Sequence, residues 1–524
     1  MRSLLLAAAL AGCVGPQATA GAIDVTIAAD GGERRASVPR GSTVVQALQA
    51  SGVELGPLDR LEPPGFAVVT EGTRIQVTRL VETFEIEQVV VPFPQQILRN
   101  EALPEGETRL LQPGENGLQE ITYRVVTEEG VEVSRTPVKS ETVQEPRPEI
   151  RMIGALAAYS PVPIEGTLAY VSAGNIWTIS GDSGSRTPAT VTGDADGRVL
   201  QLSPDAAWLL YTRRDPGDDE RINSLWAVPA IGSVGDPVPL GVSNVVHFAD
   251  WSPNDDELLV AYSTVEPRPA APGWQANNDL ILVALRIDGV RTRLGTPRTL
   301  LSSNSGGAYG WWGSSFAWAP DGRRLAYARP DGVGTIEVDD PQLSPSLEMT
   351  PYQTLGDWAW VPGVSWGWDQ RTLFTVRHGP PIGLETEAAS PVFDVVALQP
   401  TTGEALVLRT RTGMFASPVV SPPRVLPSGE VDHRVAYLQA LDPLESETSR
   451  YRLFVIDRDG SNARPLFPAE GEPGLEPRPP VWSPDGQRVA LIYQGDLWIV
   501  DVVSGQAHRL TSDGQVTAVD WEGA

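Results

Sequence analysis

The chain repeats one pattern of apolar and polar positions from about residue 166 to its end. The clearest copy spans residues 481–514, VWSPDGQRVALIYQGDLWIVDVVSGQAHRLTSDG. An apolar segment ends at Trp482, the Ser-Pro-Asp-Gly run supplies turn chemistry, and residues 487–493 read as a second strand. Residues 496–502 are apolar at nearly every position, which is typical of a strand covered on both faces, and Ser504-Gly505 then turns the chain into a short outer strand. Each copy therefore predicts a four-stranded sheet.

Seven copies of this pattern can be counted. The predicted second strands lie at 166–171, 208–212, 257–262, 324–328, 372–376, 434–438 and 488–493. The predicted third strands follow at 175–180, 224–230, 279–286, 335–339, 393–398, 452–458 and 496–502. Self-similarity at roughly 40 to 60 residues, with several short strands in each copy, favours a β-propeller over a solenoid. We therefore predict a mainly β chain in which residues 156–524 form a seven-bladed propeller.

The two ends of the repeat region complement each other. Residues 166–193 supply only the later strands of a blade, and residues 516–521 resemble an unpaired innermost strand. A blade assembled from both ends would remove open sheet edges, which otherwise invite aggregation. We expect the C-terminal strand to close the ring.

The turn of the repeat resembles the Trp-Ser-Pro-Asp-Gly turn of the TolB-like propeller family. The matching runs are WSPDG at 482–486, WSPND at 251–255 and WAPDG at 318–322, whereas the other copies read LSPDA at 202–206, WGWDQ at 366–370 and VSPPR at 420–424. The resemblance implies the propeller fold. The departures do not allow a TolB partner to be carried over.

Residues 22–81 read as a small mixed domain with a helix over 42–51, for which Thr43 or Ser42 is the predicted N-cap. The run GSTVVQALQASGVELGPLDRLEPP, residues 41–64, resembles the β-grasp-like repeat of YabE-type and resuscitation-promoting-factor-type wall proteins. This resemblance implies a β-grasp-like module.

Residues 82–155 contain turn signals at Pro113-Gly114 and Glu129-Gly130 between alternating strands, which predict an extended β module. The segment resembles the G-five (G5) domain, which is named for its five glycines. Those glycines are Gly106, Gly114, Gly117, Gly130 and Gly154. The resemblance implies adhesion and binding of glycans that contain N-acetylglucosamine, such as peptidoglycan. The alternative is that both N-terminal modules are spacers, and the sequence leaves both readings open.

The formal net charge of −26 and the isoelectric point near 4.6 argue against a nucleic-acid partner and against electrostatic docking on anionic lipid. Residues 22–154 contain no His and no Cys, so the zinc linked to some G-five domains lacks its preferred ligands. We expect neither a cofactor nor a metal.

Cys13 is the only cysteine, which excludes an intramolecular disulfide. The basic start and apolar core of residues 1–10 resemble a secretory signal, and the run LAGC at 10–13 resembles the lipobox of bacterial lipoproteins. The resemblance implies cleavage before Cys13 and acylation of its thiol, which would anchor the protein on the extracytoplasmic face of a bacterial envelope. Cleavage of an ordinary signal after Ala18 or Ala20 remains the alternative.

All 15 tryptophans lie in the propeller region, and four of them directly precede predicted inner strands. These four are Trp311, Trp312, Trp358 and Trp360. Propellers place such connections at one mouth of the central channel, where aromatic rings can stack on sugars or hold a peptide. We therefore predict them as ligand-binding residues, with core packing as the alternative.

The run GVSWG at 363–367 matches a nucleophile elbow by letter, but Ser365 lies in a predicted strand without the required strand, turn and helix. Residues 457–462 resemble the start of a calcium loop, but Pro468 occupies the position that needs a glutamate. We predict no catalytic residue and no metal ligand.

Together, these features predict a non-catalytic lipoprotein of the cell envelope. Its N-terminal modules would bind peptidoglycan or another amino-sugar glycan, and its propeller would be a platform for protein or carbohydrate, including an envelope protein partner. The membrane would be reached through the lipid anchor only. The alternative is a glycan- or peptide-active enzyme in the propeller mouth, which a suitably separated set of carboxylates would favour.

Overall fold

The computed structural model describes residues 21–155, 160–215, 221–232, 234–253, 258–288, 291–304, 310–425 and 431–523. The predicted signal and Cys13 lie outside these ranges. The chain divides into two compact units. The first runs to Gln96 and resumes at Gln112–Ile150, and the second comprises Ile97–Leu111 and the chain from Arg151 onward.

The first unit begins with a four-stranded sheet and one helix. In pairing order the strands are Gly32–Pro39, Ala22–Ala29, Arg74–Thr78 and Arg60–Glu62, and the helix is Val44–Ala50. Alternate strand residues such as Ile23, Val25 and Ile27 are buried against Val44 and Leu48 of the helix, which forms the module's core.

Thr43 is the N-cap of the helix. The Thr43 hydroxyl accepts a hydrogen bond from the Gln46 backbone N–H, and the Gln46 side chain accepts one from the Thr43 N–H at 2.9 Å. This capping box fixes where the helix starts. Of the two predicted caps, the structure uses Thr43.

A long three-stranded antiparallel sheet follows in the first unit, in the order Leu80–Val91, Gly117–Glu128 and Val131–Gln144. Its outer strand Val131–Gln144 is exposed along its whole length. Ion pairs, rather than a thick apolar core, link the strands of this sheet. Arg124 pairs with Glu82 at 2.6 Å, and Arg135 pairs with Glu85 at 2.8 Å.

A short three-stranded sheet, in the order Gln95–Asn100, Glu149–Gly154 and Thr108–Gln112, carries most of its residues in the second unit. In this second unit Glu101 forms an ion pair with Arg186 at 3.2 Å and accepts a hydrogen bond from the Ser512 backbone N–H at 3.1 Å. The side chains of Glu101 and Arg186 are 15% and 6% exposed. The segment Ile97–Leu111 is therefore held against the sheets that follow.

Seven antiparallel sheets of four or more strands make up the described part of the remaining chain. In pairing order, the first sheet contains Val516–Glu522, Pro163–Ser172, Asn175–Asp182 and Arg186–Pro188; the second contains Ala195–Leu202, Trp208–Arg214, Asn223–Pro229 and Val238–Ser243; and the third contains Ala249–Trp251, Leu258–Tyr262, Leu280–Asp288 and Arg291–Leu294, with Arg298–Leu301 also paired to Leu280–Asp288. The fourth sheet contains Ser315–Trp318, Arg324–Arg329, Gly332–Glu337 and Leu343–Glu348, and the fifth contains Val364–Trp366, Leu373–His378, Phe393–Gln399 and Glu404–Arg409. The sixth sheet contains Val419–Val420, Arg434–Ala440, Tyr451–Asp457 and Arg464–Phe467, and the seventh contains Val481–Trp482, Arg488–Tyr493, Asp496–Asp501 and Ala507–Arg509. We call the first strand named in each sheet its inner strand.

In the part of this region that the structure describes, four short elements lie between or beside these sheets. They are the two-stranded ribbons Val265–Pro267 with Trp274–Ala276 and Arg424–Val425 with Val431–Asp432, and the 3-10 turns Glu387–Ala389 and Pro443–Glu445. No helix in the described ranges is long and apolar enough to cross a membrane.

The C-terminal strand pairs with the start of the repeat region. Val516–Glu522 runs antiparallel to Pro163–Ser172, with Trp521 opposite Leu168. The first sheet therefore takes its inner strand from the other end of the chain.

Apolar clusters fill the spaces between successive sheets, as where Leu210 and Leu225 of the second sheet meet Trp251 and Val260 of the third. The repeated tryptophans add hydrogen bonds between sheets. The indole Nε1 donates to a carbonyl on the preceding inner strand in three pairs: Trp251 to Gln201 at 3.1 Å, Trp366 to Ala317 at 3.1 Å and Trp482 to Val419 at 3.0 Å. These tryptophans thus fix both the packing and the stagger of neighbouring sheets.

Candidate functional site

Two of the four predicted tryptophans lie in one aromatic cluster beside the third sheet. The rings of Trp311 and Trp312 lie 4.0 Å apart and are inclined by 33°. Trp312 meets the edge of Trp274 at 6.4 Å, and Trp274 meets the edge of His247 at 4.5 Å. We call His247, Trp274, Trp311 and Trp312 the aromatic cluster. All four are half-buried, so each keeps part of its surface accessible.

His247 adds a polar group to this cluster. Burial lowers the pKa of His247 to about 4, so its imidazole is neutral near pH 7. Its Nε2 atom is buried and has no hydrogen-bond partner among the described residues. Sequence reasoning missed His247 and Trp274 because both lie far from the Trp311-Trp312 pair along the chain.

The other two predicted tryptophans have different environments. Trp360 is 1% exposed, its Nε1 donates to the Met414 carbonyl at 2.9 Å, and it packs against Phe393 at 4.8 Å. Trp360 is a core residue with no face available to a ligand. Trp358 is half-buried and stacks on Phe415 at 6.2 Å, so it remains a candidate by itself. No ring contact among the described residues joins either of these tryptophans to the aromatic cluster.

Three carboxyl groups on inner strands lie close enough to interact electrostatically. Asp520 and Glu522 are two residues apart in the inner strand of the first sheet and therefore share a face, and Asp250 occupies the same repeat position in the third sheet as Asp520 does in the first. The Leu202 backbone N–H donates to Asp520 Oδ2 at 2.6 Å. We call Asp250, Asp520 and Glu522 the carboxyl cluster.

The environment of the carboxyl cluster disfavours ionisation. The three residues are half-buried, and the surrounding protein removes much of the water from their carboxyl groups. This burial, together with repulsion from Asp520, raises the pKa of Asp250 to about 7 and that of Glu522 to about 8. Burial also raises the pKa of Asp520 to about 6. The repeated Asp-Trp pairs at 250–251 and 520–521 are the sequence signal that would have found this cluster.

The other residues of possible chemical use have structural partners. Ser365 Oγ donates to the Pro418 carbonyl at 2.8 Å within an inner strand, so it is not arranged as a nucleophile. The ring nitrogens of His378 lie 2.7 Å and 2.8 Å from the carbonyl oxygens of Thr350 and Ser390. Residues 457–462 form a hairpin turn in which the Asn462 amide donates to Asp457 at 2.6 Å. Within the described ranges, no group of three or more His, Cys, Asp or Glu side chains is placed to hold a metal ion.

In the first unit, the long sheet exposes a row of apolar side chains that sequence reasoning missed. Phe84, Ile86 and Val90 alternate along the strand Leu80–Val91 and are 62%, 68% and 57% exposed. The polar pairs Arg124–Glu82 and Gln88–Glu120 lie on the same face, the latter with an amide-to-carboxylate hydrogen bond of 2.9 Å. This surface, which we call the apolar row, combines an aromatic ring with planar hydrogen-bonding groups.

Family models match three segments of the chain. Residues 82–155 match the G5 domain, residues 25–65 the G5-linked ubiquitin-like domain, and residues 450–521 the N-terminal region of dipeptidyl peptidase IV. The chain carries a G5 domain. It also carries the ubiquitin-like module that accompanies G5 domains and a propeller region similar to TolB and the dipeptidyl peptidase IV N-terminal region.

Two relatives match different parts of the chain. Resuscitation-promoting factor RpfB of Mycolicibacterium smegmatis is 27% identical over 160 residues, 30% of this chain and 44% of RpfB. The Tol-Pal system protein TolB of Thioalkalivibrio sulfidiphilus is 30% identical over 129 residues, 23% of this chain and 28% of TolB. The chain thus spans less than half the length of each. Among solved structures, a TolB protein from Agrobacterium tumefaciens is 16% identical, with 62% of this chain and 96% of that chain covered at a TM-score of 0.34.

The five glycines of the G5 domain serve two physical purposes. Gly106 and Gly130 adopt φ angles of 85° and 83°, in the left-handed region that side chains disfavour. The other three sit where a Cβ would collide with neighbouring atoms: with the Phe93 ring at Gly114, with the Gln144 carbonyl at Gly117, and with the Pro104 carbonyl oxygen at Gly154. The glycines of the G5 domain therefore shape its turns and let strands approach closely, and the apolar row is a separate feature.

Proposed function

We propose that this protein is a non-catalytic binding protein of the bacterial cell envelope. Its ubiquitin-like module and G5 domain bind an amino-sugar glycan such as peptidoglycan, and its propeller presents a platform to a second partner, a protein or a carbohydrate. The pairing of the two N-terminal modules supports an envelope location. Acylation of Cys13 would anchor the protein on the extracytoplasmic face, with the lipid as its only contact with the membrane.

The apolar row of the G5 domain is the observation that carries the glycan proposal. Carbon-bound hydrogens of a sugar ring stack on an aromatic face such as that of Phe84. Arg124 and Gln88 already donate to Glu82 and Glu120, and each side chain carries further N–H groups that would donate to hydroxyl and acetamido oxygens. The strand Leu80–Val91 has 12 residues. At about 3.3 Å per residue, a strand of that length runs for roughly 40 Å, which accommodates several sugars of an extended glycan.

For the propeller, we propose a closed ring of seven blades. The pairing of Val516–Glu522 with Pro163–Ser172 supports closure by the C-terminal strand, since it combines strands from both ends of the repeat region in one sheet. The aromatic cluster offers this platform a half-buried stacking surface with one neutral imidazole. Trp358 adds a second, separate aromatic contact.

Retention on purified peptidoglycan tests the glycan proposal. We expect the chain from residue 21 onward to be retained and Phe84→Ala to weaken retention about tenfold, since one stacking contact is lost. Leu110→Ala is the matched control, because Leu110 is 57% exposed, close to the 62% of Phe84, but lies in the short sheet. Phe66→Ala, which removes an 84% exposed ring in the ubiquitin-like module, shows whether that module contributes. Equal retention of Phe84→Ala and the unaltered chain would refute the role of the apolar row.

The carboxyl cluster favours one alternative, a glycan-active hydrolase. A carboxyl group whose pKa is raised by burial is suited to act as a general acid beside an ionised partner. Under this alternative, the unaltered chain releases reducing ends from peptidoglycan and Asp520→Asn abolishes the release. If the unaltered chain releases no reducing ends from peptidoglycan, the hydrolase alternative is excluded and the binding function is retained.

A further inference from the structure

Five large apolar side chains are exposed on three loops of the fifth and sixth sheets. They are Leu355 at 81%, Ile382 at 51%, Leu384 fully exposed, Leu441 at 46% and Leu444 at 43%. The loop 349–363 leads from the fourth sheet into the fifth, whereas 379–392 and 441–450 each join the second and third strands within the fifth and the sixth sheet. Single exposed leucines are common on protein surfaces, but a group on adjoining loops marks an interaction site. We call these five residues the leucine patch.

Hydrogen bonds join the three loops to one another. The Leu355 backbone N–H donates to Glu447 Oε1 at 3.2 Å, which links the first loop to the third. The Gln353 N–H donates to the Ala388 carbonyl at 2.7 Å, and His378 lies within 2.8 Å of the Thr350 and Ser390 carbonyl oxygens, which links the first loop to the second. The leucine patch is therefore presented on a fixed framework, which reduces the entropy lost when a partner binds.

The charges around the leucine patch have one predominant sign. The three loops carry six carboxylates, namely Asp357, Glu385, Glu387, Asp442, Glu445 and Glu447. Their one basic residue, Arg450, is already paired with Glu476. Hydrogen bonds from its own backbone N–H and from the Ile382 and Gly383 N–H groups lower the pKa of Glu385, so this carboxylate beside Leu384 is ionised at neutral pH. A complementary partner needs apolar side chains at its centre and positive charges at its edge.

We propose that the leucine patch docks a cationic, amphipathic peptide segment of a partner protein. The apolar face of that segment covers Leu355 and Leu384, and its lysine or arginine side chains meet the surrounding carboxylates. This proposal rests on the platform role proposed above for the propeller and specifies its partner. The acidic surroundings disfavour an anionic lipid surface as the occupant.

Calorimetric titration with synthetic peptides tests this docking on the chain from residue 21 onward. The probe is an amphipathic helix of leucine and lysine only, and its counterpart replaces each lysine with glutamate. We expect the lysine peptide to bind and the glutamate peptide not to bind. The double variant Leu355→Ser/Leu384→Ser should weaken binding at least about tenfold, because each buried leucine contributes a transfer free energy that the variant loses. Leu406→Ser and Val503→Ser are the controls, since these side chains are 60% and 56% exposed away from the patch.

Several results would overturn the proposal. Equal affinity in the double variant and the unaltered chain would show that the lysine peptide is held only by the general negative charge. Binding of both peptides would remove the role of the carboxylates. Co-sedimentation with phosphatidylcholine vesicles that is lost in the double variant would assign the patch to a membrane surface instead. Peptidoglycan retention is measured on the same variants and should be unchanged, so failure of the glycan proposal is distinguishable from failure of this one.

Discussion

At the scale of single residues, the main feature is a set of carboxyl groups whose ionisation the fold disfavours. The carboxyl cluster joins Asp250 in the third sheet to Asp520 and Glu522 in the C-terminal strand. Burial of carboxyl groups opposes their negative charge, and each group that ionises repels the others. The last strand of the chain is therefore paired most favourably when its carboxyl groups are protonated.

This arrangement predicts a pH dependence of stability. The folded pKa values of about 6 to 8 lie above the ordinary values of the unfolded chain, so the fold binds more protons. The contribution of these groups is complete below about pH 4 and is lost as pH rises through about 6 to 8. We expect the double variant Asp520→Asn/Glu522→Gln to be more stable than the unaltered chain at pH 8, on the order of 1–2 kcal/mol, and nearly equal to it at pH 4.

Urea unfolding of both proteins at the two pH values measures this difference. Asparagine at 520 retains an acceptor for the Leu202 N–H, so the hydrogen bond itself is not the variable. Asp339→Asn is the control, because Asp339 is exposed in the bend that follows the strand Gly332–Glu337. An unchanged pH dependence in the double variant would exclude the carboxyl cluster as its source.

Sequence reasoning found residues whose signal is local and missed residues whose signal is spread over the fold. Thr43 was predicted as a cap because a cap is defined by its immediate neighbours. Asp250 and Asp520 are 270 positions apart, and only the pairing of the C-terminal strand brings them into one environment. Trp360 was predicted to bind ligand, but its position before an inner strand did not show that Met414 and Phe393 enclose it.

At the scale of elements, the turn of the repeat keeps hydrogen bonds of the same kind even where its amino acids differ. In the WSPDG turn, Asp485 accepts from the Gln487 N–H at 3.0 Å and Ser483 Oγ accepts from the Arg488 N–H at 2.9 Å. The LSPDA turn keeps the same two bonds, from the Ala207 N–H to Asp205 and from the Trp208 N–H to Ser203 Oγ. In the WAPDG turn, Ala319 replaces the Ser, and only the Asp bond recurs, from the Arg323 N–H to Asp321 at 3.0 Å. The repeat was predictable because these turns keep a Ser or an Asp at fixed spacing. The outer strands have no comparable turn signature, so their ends could not be predicted.

The buried side chain of Trp521 in the C-terminal strand leads to a second prediction, which concerns the free energy of unfolding. Trp521 is 3% exposed and its Nε1 donates to the Glu165 carbonyl at 2.7 Å, so Trp521→Ala removes a buried ring and a hydrogen bond from the first sheet. We expect this variant to lose about 3–5 kcal/mol of the free energy of unfolding. Trp368→Ala, at a 44% exposed ring in a turn, is the matched control and should lose less than about 1 kcal/mol.

Thermal unfolding followed by near-ultraviolet circular dichroism compares the two variants. If Trp521→Ala proves no more destabilising than Trp368→Ala, pairing of the C-terminal strand does not stabilise the propeller, and the proposal of a closed ring fails with it.

At the scale of the whole molecule, family boundaries and compact units divide the chain differently. The G5 domain match covers residues 82–155, yet Ile97–Leu111 and the residues from Arg151 onward belong to the unit that contains the propeller. A family match records which residues recur together in sequence, whereas compactness records which residues pack together. A segment can therefore be part of the G5 domain and still be stabilised by propeller side chains.

A substitution at the ion pair between Glu101 and Arg186 tests whether the segment Ile97–Leu111 of the G5 domain is stabilised by the propeller region. Removing Glu101 leaves the largely buried Arg186 guanidinium without its carboxylate, and the Ser512 N–H loses its acceptor. Breaking a buried ion pair on one side costs about 3 kcal/mol, because the remaining charge stays buried. We therefore expect Glu101→Ala to lower the unfolding temperature of the propeller region, whereas Glu105→Ala, at an exposed position of the same segment, should not. If both variants unfold like the unaltered chain, the segment Ile97–Leu111 adds no stability to the propeller, and the chain can be divided at the end of the G5 domain without cost to either part.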